Sequence, residues 1–354
     1  DTVEVIEYGA FSYCRNLQCV KTGKGLRNIE NSAFNHCESL TDISLQDQLT
    51  TIGFEAFSNC RALKNINLPI SLEKIDRWAF QFSGVENISL PSHVNTIGED
   101  AFFGCFNLKE FICSEGLETL DLKSFSDCRK LKKIVLGEET KMIVPPVYSD
   151  YFDLAQDFEW DMVRVDEIVV PDTNPYLKNV DDVIYTKDGK TLVYYLTTKS
   201  ERSFVVPKGV TTIGSLAFSG NYALKSVQLS STVKTIRNRA FCGCKNLTSI
   251  AISDSVQIIP SGCFQYCSNL TRVNLPSSIK RIETYAFQKH LKVMTVGGKN
   301  TVFESMSVDK STTILCSKEA RAARYKAKIN TRGRHIVHHL DGGVNNASNV
   351  YYFT

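Results

Sequence analysis

The sequence predicts an α/β repeat protein: a right-handed, curved leucine-rich-repeat solenoid with a parallel β-sheet on its concave face, interrupted near its middle by an insert with a β-hairpin. Three observations predict it. The stretch Ile236 to Ile252 follows the pattern I-x-x-x-A-F-x-x-C-x-x-L-x-x-I-x-L/I, and most of the chain restates that pattern. Its Phe recurs at Phe11, Phe34, Phe57, Phe80, Phe102 and Phe125, then at Phe218, Phe241, Phe264 and Phe287, in steps of 23 apart from one of 22 and one of 93. A fixed period in the twenties with Leu and Ile at set offsets is the mark of stacked coils that share one interior.

Each coil carries two apolar clusters. The first, L-x-x-I-x-L, occurs as Leu40/Ile43/Leu45, Leu63/Ile66/Leu68, Leu131/Ile134/Leu136 and Leu270/Val273/Leu275. Its last two members are two apart, the period of a strand with one buried face. Pro69, Pro91 and Pro276 follow it, and a residue without an N–H ends a ladder strand. The second cluster, L/V-x-x-I-x-x-x-A-F, reads as a short extended piece and a helical turn that carries Phe inward. The period is lost between Gly137 and Pro207. There Val183 to Tyr195 forms two β-rich runs about Asp188-Gly189, a hairpin signal. After Val296 the repeat ends, and Ser317 to Lys328 reads as a cap helix with an N-cap Ser following a last strand at Thr313 to Cys316. The expected organisation is N-terminal coils over 1–137, an acidic, aromatic insert with a hairpin over 138–207, C-terminal coils over 208–296, and a cap and tail over 297–354, with roughly a dozen coils in all.

A composition of 43% apolar and 22% charged residues is that of a soluble globular protein, and no run is long and apolar enough to span a bilayer. The chain opens inside a repeat, so no signal peptide is visible. The net charge of +3 is unevenly spread: Glu138 to Asp182 holds twelve acids against three bases, and Lys318 to His339 seven bases against one acid. A short basic tail without a continuous basic face and stacking aromatics does not describe a nucleic-acid binder. Of the twelve cysteines, Cys14, Cys37, Cys60, Cys105, Cys128, Cys244 and Cys267 each stand three residues after a repeat Phe. They form a column with parallel Cβ directions, which suits disulfides poorly, so they read as buried free thiols acting as small hydrophobes. A zinc site combining Cys242 and Cys263 with Cys244 and Cys267 would need ligands from different faces.

The combination A-F-x-x-C-x-x-L-x-x-I-x-L-P-x-x-V-x-x-I resembles the BspA-like (treponemal-type) leucine-rich-repeat family of surface proteins, over nearly all of residues 6–296. That resemblance implies a secreted or surface-anchored protein of an anaerobic or host-associated microbe, acting as an adhesin toward host matrix proteins, plasma proteins or other cells. It transfers no catalytic residues. The tail from Ile329 to Thr354 departs from the family's usual cap.

The solvent-facing strand positions give the candidate binding surface. They are polar with an excess of lysine, and Ile112 and Val135 stand out as apolar exceptions beside Lys109, Lys132 and Lys133. With Lys225 and Arg272 further along, and the insert aromatics Tyr148, Tyr151, Phe152 and Trp160, these are the expected protein-contacting residues. The acidic run Asp150, Asp153, Asp157, Glu159, Asp161 lacks the Gly and alternation of a calcium loop, and His335, His338 and His339 sit in a tail. No nucleophile with a base, phosphate loop or paired helical histidines is found. The sequence therefore predicts a monomeric, non-enzymatic protein-binding module at the cell exterior with no cofactor and no metal, the alternative being a purely structural spacer.

Overall fold

The computed structural model describes residues 2–145, 163–287, 290–298, 300–309, 311–316, 336–339 and 351–352. The chain divides into two compact units, Asp1–Asp182 and Val183–Thr354, each a parallel β-solenoid of the leucine-rich-repeat kind. Most coils contribute two short strands where the sequence points to one. The L-x-x-I-x-L cluster supplies three-residue strands such as Asn87–Ser89, Glu110–Ile112, Lys133–Val135 and Glu167–Val169, which pair in parallel in that order. The extended piece before A-F supplies a second ladder, Val5–Ile6, Asn28–Ile29, Thr51–Ile52, Lys74–Ile75 and Thr96–Ile97. Stacked coils satisfy each other's N–H and C=O groups, which is why so little helix is needed.

The helical turn expected around A-F is not a helix in most coils. The chain turns there through left-handed residues on both sides of the Phe, as at Glu55 (φ 54) and Asn59 (φ 60) around Phe57, or Arg239 (φ 57) and Gly243 (φ 73) around Phe241. Among the described residues the only helix is the four-residue 3-10 turn Leu122–Phe125, begun by an Asp121 carboxylate that accepts the Lys123 N–H at 2.9 Å. The α part of the α/β expectation is therefore not met there, and the expected cap helix over 317–328 lies outside the described residues. No helix among them is long and apolar enough to cross a membrane.

The Phe column is the core of each unit. In the first, rings from Phe11 to Phe125 stack with centroids 5.2 to 5.9 Å apart, and all but the terminal Phe11 are fully buried. In the second, the column begins one coil before the sequence pattern shows it: Tyr195 stacks on Phe218 at 5.2 Å, and Phe241, Phe264 and Phe287 continue it. The 23-residue step also runs past Gly137, since Thr119–Asp121 pairs with Met142–Val144. It resumes before Pro207, since Ser203–Val205 pairs with Ser226–Gln228. In the second unit Val183–Thr186 and Thr191–Tyr195 pair antiparallel about Gly189 (φ 72), with the Asp188 carboxylate accepting the Lys190 N–H at 2.9 Å.

The cysteine column is more than apolar filling. Cys14, in the first coil, is exposed against the expectation of burial, because no preceding coil covers it; the buried thiols reach across one coil and donate to the carbonyl of the preceding repeat Phe: Cys60 to Phe34 at 3.2 Å, Cys105 to Phe80 at 3.0 Å, Cys128 to Phe102 at 3.1 Å, Cys244 to Phe218 and Cys267 to Phe241 at 3.0 Å. Asn221 in the same place donates its amide N–H to Leu196 O at 3.3 Å. The eleven cysteines whose side chains are described are all free thiols. The column supplies a second donor to a buried carbonyl that already accepts a backbone N–H within its own turn, as Phe34 O does from the Cys37 N–H at 3.1 Å and Phe102 O from the Cys105 N–H at 3.1 Å.

Candidate functional site

The first unit places three of the sequence-predicted site residues, Ile112, Lys133 and Val135, on one sheet, with Lys109 and Lys132 just before its strands. Register aligns Asn87, Glu110, Lys133 and Glu167 in one lane and Ser89, Ile112, Val135 and Val169 in the other, with Ile88, Phe111, Ile134 and Ile168 buried beneath. Alternation along each strand sends the lanes out and the middle residue in. The apolar lane thus has a third member, Val169, which the sequence reading missed because the coil steps by 34 residues there, Val135 to Val169. Ile112 is 36% exposed; Val135 and Val169 are half-buried.

The lysine excess is largely neutralised. Lys109 Nζ lies 2.6 Å from Glu86 Oε2, and Lys64 approaches the same carboxylate at 4.0 Å. The hydrogen bond from Lys109, then its charge, holds the Glu86 carboxyl below the ordinary glutamate value. Lys133 Nζ lies 3.3 Å from Glu110 Oε1. Lys132 is exposed and, among the described residues, has no ion pair. The face is therefore an alternating charge ladder beside an apolar lane, with one uncommitted cation.

One end of this sheet is cut. Between the Glu86 N–H to Lys64 O bond at 2.9 Å and the His93 Nδ1 contact to Ile70 O at 2.9 Å, the segment Asn65–Leu68 belongs to no strand. A shallow groove of about 450 Å³ opens there, lined by Asn65, Asn67, Asn87, Ser89, Glu110 and Ile112 among others. It lies beside the single 22-residue step: Ser83 is followed by Gly84-Val85 where other coils have one residue more before their Leu or Val. Gly84 takes up the missing residue by seating its Cα against the Arg61 backbone, where a Cβ would collide with the Arg61 carbonyl.

Lys225 and Arg272 are exposed in the second unit and lie on two different sheets, Lys225 just before Ser226–Gln228 and Arg272 opening Arg272–Leu275. The insert aromatics Tyr148, Tyr151, Phe152 and Trp160, the acidic run from Asp150 to Asp161, and His335 lie outside the described residues. Among the described residues no group of three or more His, Cys, Asp or Glu is placed to hold a metal. Nor do the buried thiols offer a nucleophile. Burial, then the neighbouring Cys14, pushes the Cys37 thiol up to about 11; burial alone is the main cause that lifts Cys113 to about 12 and raises Cys60, Cys128, Cys263 and Cys267. A thiol held protonated is a poor nucleophile and a poor ligand. The sequence neighbours His36 and Cys37 do not cooperate: the His36 ring stacks on Tyr13 at 4.7 Å while the Cys37 thiol donates to Phe11 O.

Comparison with known proteins agrees with this architecture. The family model described as the BspA type leucine rich repeat region matches in six copies over residues 1–82, 27–154 and 193–314. Among solved structures, a leucine-rich repeat protein from Bacteroides ovatus aligns with a TM-score of 0.55 at 24% identity, over 89% of this chain and 88% of that one. The pneumococcal vaccine antigen PcpA aligns with a TM-score of 0.61 at 19% identity, over 90% and 80%. A leucine-rich repeat protein from Eubacterium ventriosum aligns with a TM-score of 0.55 at 19% identity, over 88% and 84%. At these identities the likeness is one of fold. No curated protein matches the chain.

Proposed function

Because the chain belongs to the BspA-type leucine-rich-repeat family, we propose that it is a non-enzymatic protein-binding module working at the cell exterior, and that the strand face of the first unit is its contact surface. The observation that carries the reading is the apolar lane Ile112, Val135, Val169 set beside the charged lane Glu110, Lys133, Glu167. An apolar strip with a charged rim is the composition of a protein interface: the strip supplies burial, and the rim supplies orientation and association rate. The groove at Asn65–Leu68 adjoins Ile112 and extends the same surface. The partner class we favour is an extracellular matrix or plasma protein, a role compatible with the fold shared with a pneumococcal antigen.

The test is a binding screen against purified matrix and plasma proteins, repeated with two variants. Lys132→Glu with Lys133→Glu is expected to slow association, and Ile112→Ser with Val135→Thr to speed dissociation, each lowering affinity about tenfold or more. If every detected interaction survives both variants unchanged, the strand face is not the contact surface. The spacer reading has one observation in its favour, that Lys109 and Lys133 are already paired with Glu86 and Glu110. It predicts no interaction in the screen at all.

A further inference from the structure

The second unit has a groove of its own on the opposite ladder, and a proline stands at the break. In that ladder the residue following the buried Ile, or Phe303 in the last coil, donates its N–H to the preceding coil: Arg237 to Ile213 O at 3.0 Å, Glu283 to Ile259 O at 2.9 Å, Glu304 to Ile282 O at 2.9 Å. Pro260 is the member of this series one coil after Arg237 and has no N–H to give. The ladder stops there: Thr235–Ile236 ends one sheet and Ile258–Ile259 begins another. The two edges enclose a groove of about 510 Å³ bounded by 234–238 on one side and 255–260 on the other.

We propose that this groove binds an acidic saccharide, a chain of sugars carrying sparse carboxylates. Two cations line it, Lys234 and Arg237, both exposed and, among the described residues, neither in an ion pair. They call for negative charge. The one carboxylate in the lining, Glu283, is already engaged, by Arg281 at 3.4 Å and by the Ser261 N–H at 3.1 Å. The neutral lining, Ser215, Asn238, Ser255 and Gln257, consists of side chains that both donate and accept. The Ile236 carbonyl, to which Pro260 can give no N–H, adds an acceptor at the edge of the groove. Inorganic sulfate or phosphate brings charge but no comparable array of donors; a sugar acid brings hydroxyls for the carbonyl and the neutral side chains and a carboxylate for the cations. Half-buried Ile258 over Pro260 offers an apolar floor to the C–H face of a ring. No aromatic or deep apolar socket lines the groove to seat the side chains of an acidic peptide.

The experiment is calorimetric titration of the full chain with a hyaluronan hexasaccharide, with maltohexaose, hexaglutamate and sodium sulfate as the other arms. The hyaluronan hexasaccharide is expected to bind. Lys234→Ala with Arg237→Ala, at exposed positions the fold does not use, is expected to weaken it about tenfold or more. Pro260→Ala restores an N–H to the ladder, and is expected to close the groove and weaken binding by about threefold or more, with the melting curve as the check on folding. Maltohexaose, without charge, is expected to give no heat. The proposal is overturned if the hexasaccharide does not bind, if the double variant binds it unchanged, or if hexaglutamate or sulfate binds as tightly.

Discussion

Replacing Phe241 by Ala tests whether the coils share one interior. Phe241 is fully buried, its ring 4.8 Å from Phe218 at 9° and 5.4 Å from Phe264 at 12°. Truncating a buried Phe costs about 3–5 kcal/mol, because the cavity it leaves collapses only in part. Here the cavity would have a neighbouring ring on either side along the column, each losing a stacking partner, so the upper half of that range is expected. The unit that holds Phe241 has 354 − 182 = 172 residues. For a unit of that size each kcal/mol moves the melting temperature by about 2–4 °C, so the loss should be roughly 8–20 °C. Scanning calorimetry measures it, with Phe241→Leu as the variant that keeps most of the volume and should lose less. Amide exchange tests the sharing: the Phe218 N–H, bonded to Ala240 O at 2.8 Å, and the Phe241 N–H, bonded to Cys263 O at 3.0 Å, should both lose protection. A loss under about 1 kcal/mol, or a loss of protection confined to the mutated coil, would refute the argument that adjacent coils stand or fall together.

Two further outcomes are expected. Burial raises the folded-state thiols of Cys37, Cys60, Cys128, Cys263 and Cys267 above their ordinary value of 9.0, Cys37 to about 11. Below pH 9 both states keep the proton; above it the unfolded chain ionises first, so stability falls as pH rises from 9 through 11, by up to about 1.4 kcal/mol per pH unit for each such thiol. Urea midpoints at pH 8 and pH 10 measure this, and Cys60→Ser, which keeps a donor for Phe34 O, should flatten the slope; equal slopes would remove the thiols as its cause. Gly104→Ala should destabilise by about 1–2 kcal/mol or more in a thermal melt, since Gly104 holds φ +65 and an added Cβ would run into the Phe82 ring.

The parts of the fold that repeat were legible because repetition averages out local ambiguity. The Phe positions and the burial of the column thiols other than Cys14 follow from the 23-residue step alone. The second strand of each coil was hidden because two residues, Thr51–Ile52 or Thr96–Ile97, are too short to show a period of two. The left-handed turns were hidden because their residues, Glu55, Trp78, Leu216 and Arg239 among them, carry no local preference for that conformation; the stacked neighbours impose it. Tyr195 escaped because it fills a Phe position with another residue type. The pairing of Lys109 with Glu86 was within reach, since the two stand 23 residues apart and the arithmetic that finds the Phe column also finds this one. Reading the strand positions as a row counts lysines; reading them as columns pairs them.

The two grooves point to a more general consequence of building a wall from coils. A parallel ladder is closed as long as every coil offers an N–H and a carbonyl at each level, and a closed ladder presents only side chains to solvent. Grooves open where that pairing stops, and two such places carry a departure from the repeat. At one, Pro260 offers no N–H while the step of 23 is kept; the other, at Asn65–Leu68, lies beside the single 22-residue step, across which Lys74–Ile75 and Thr96–Ile97 still pair on the other ladder. Both faults are written in the sequence as departures from the repeat. In a solenoid of this kind the residues that keep the pattern hold the coils together, and the residues that break it are the ones to search for binding.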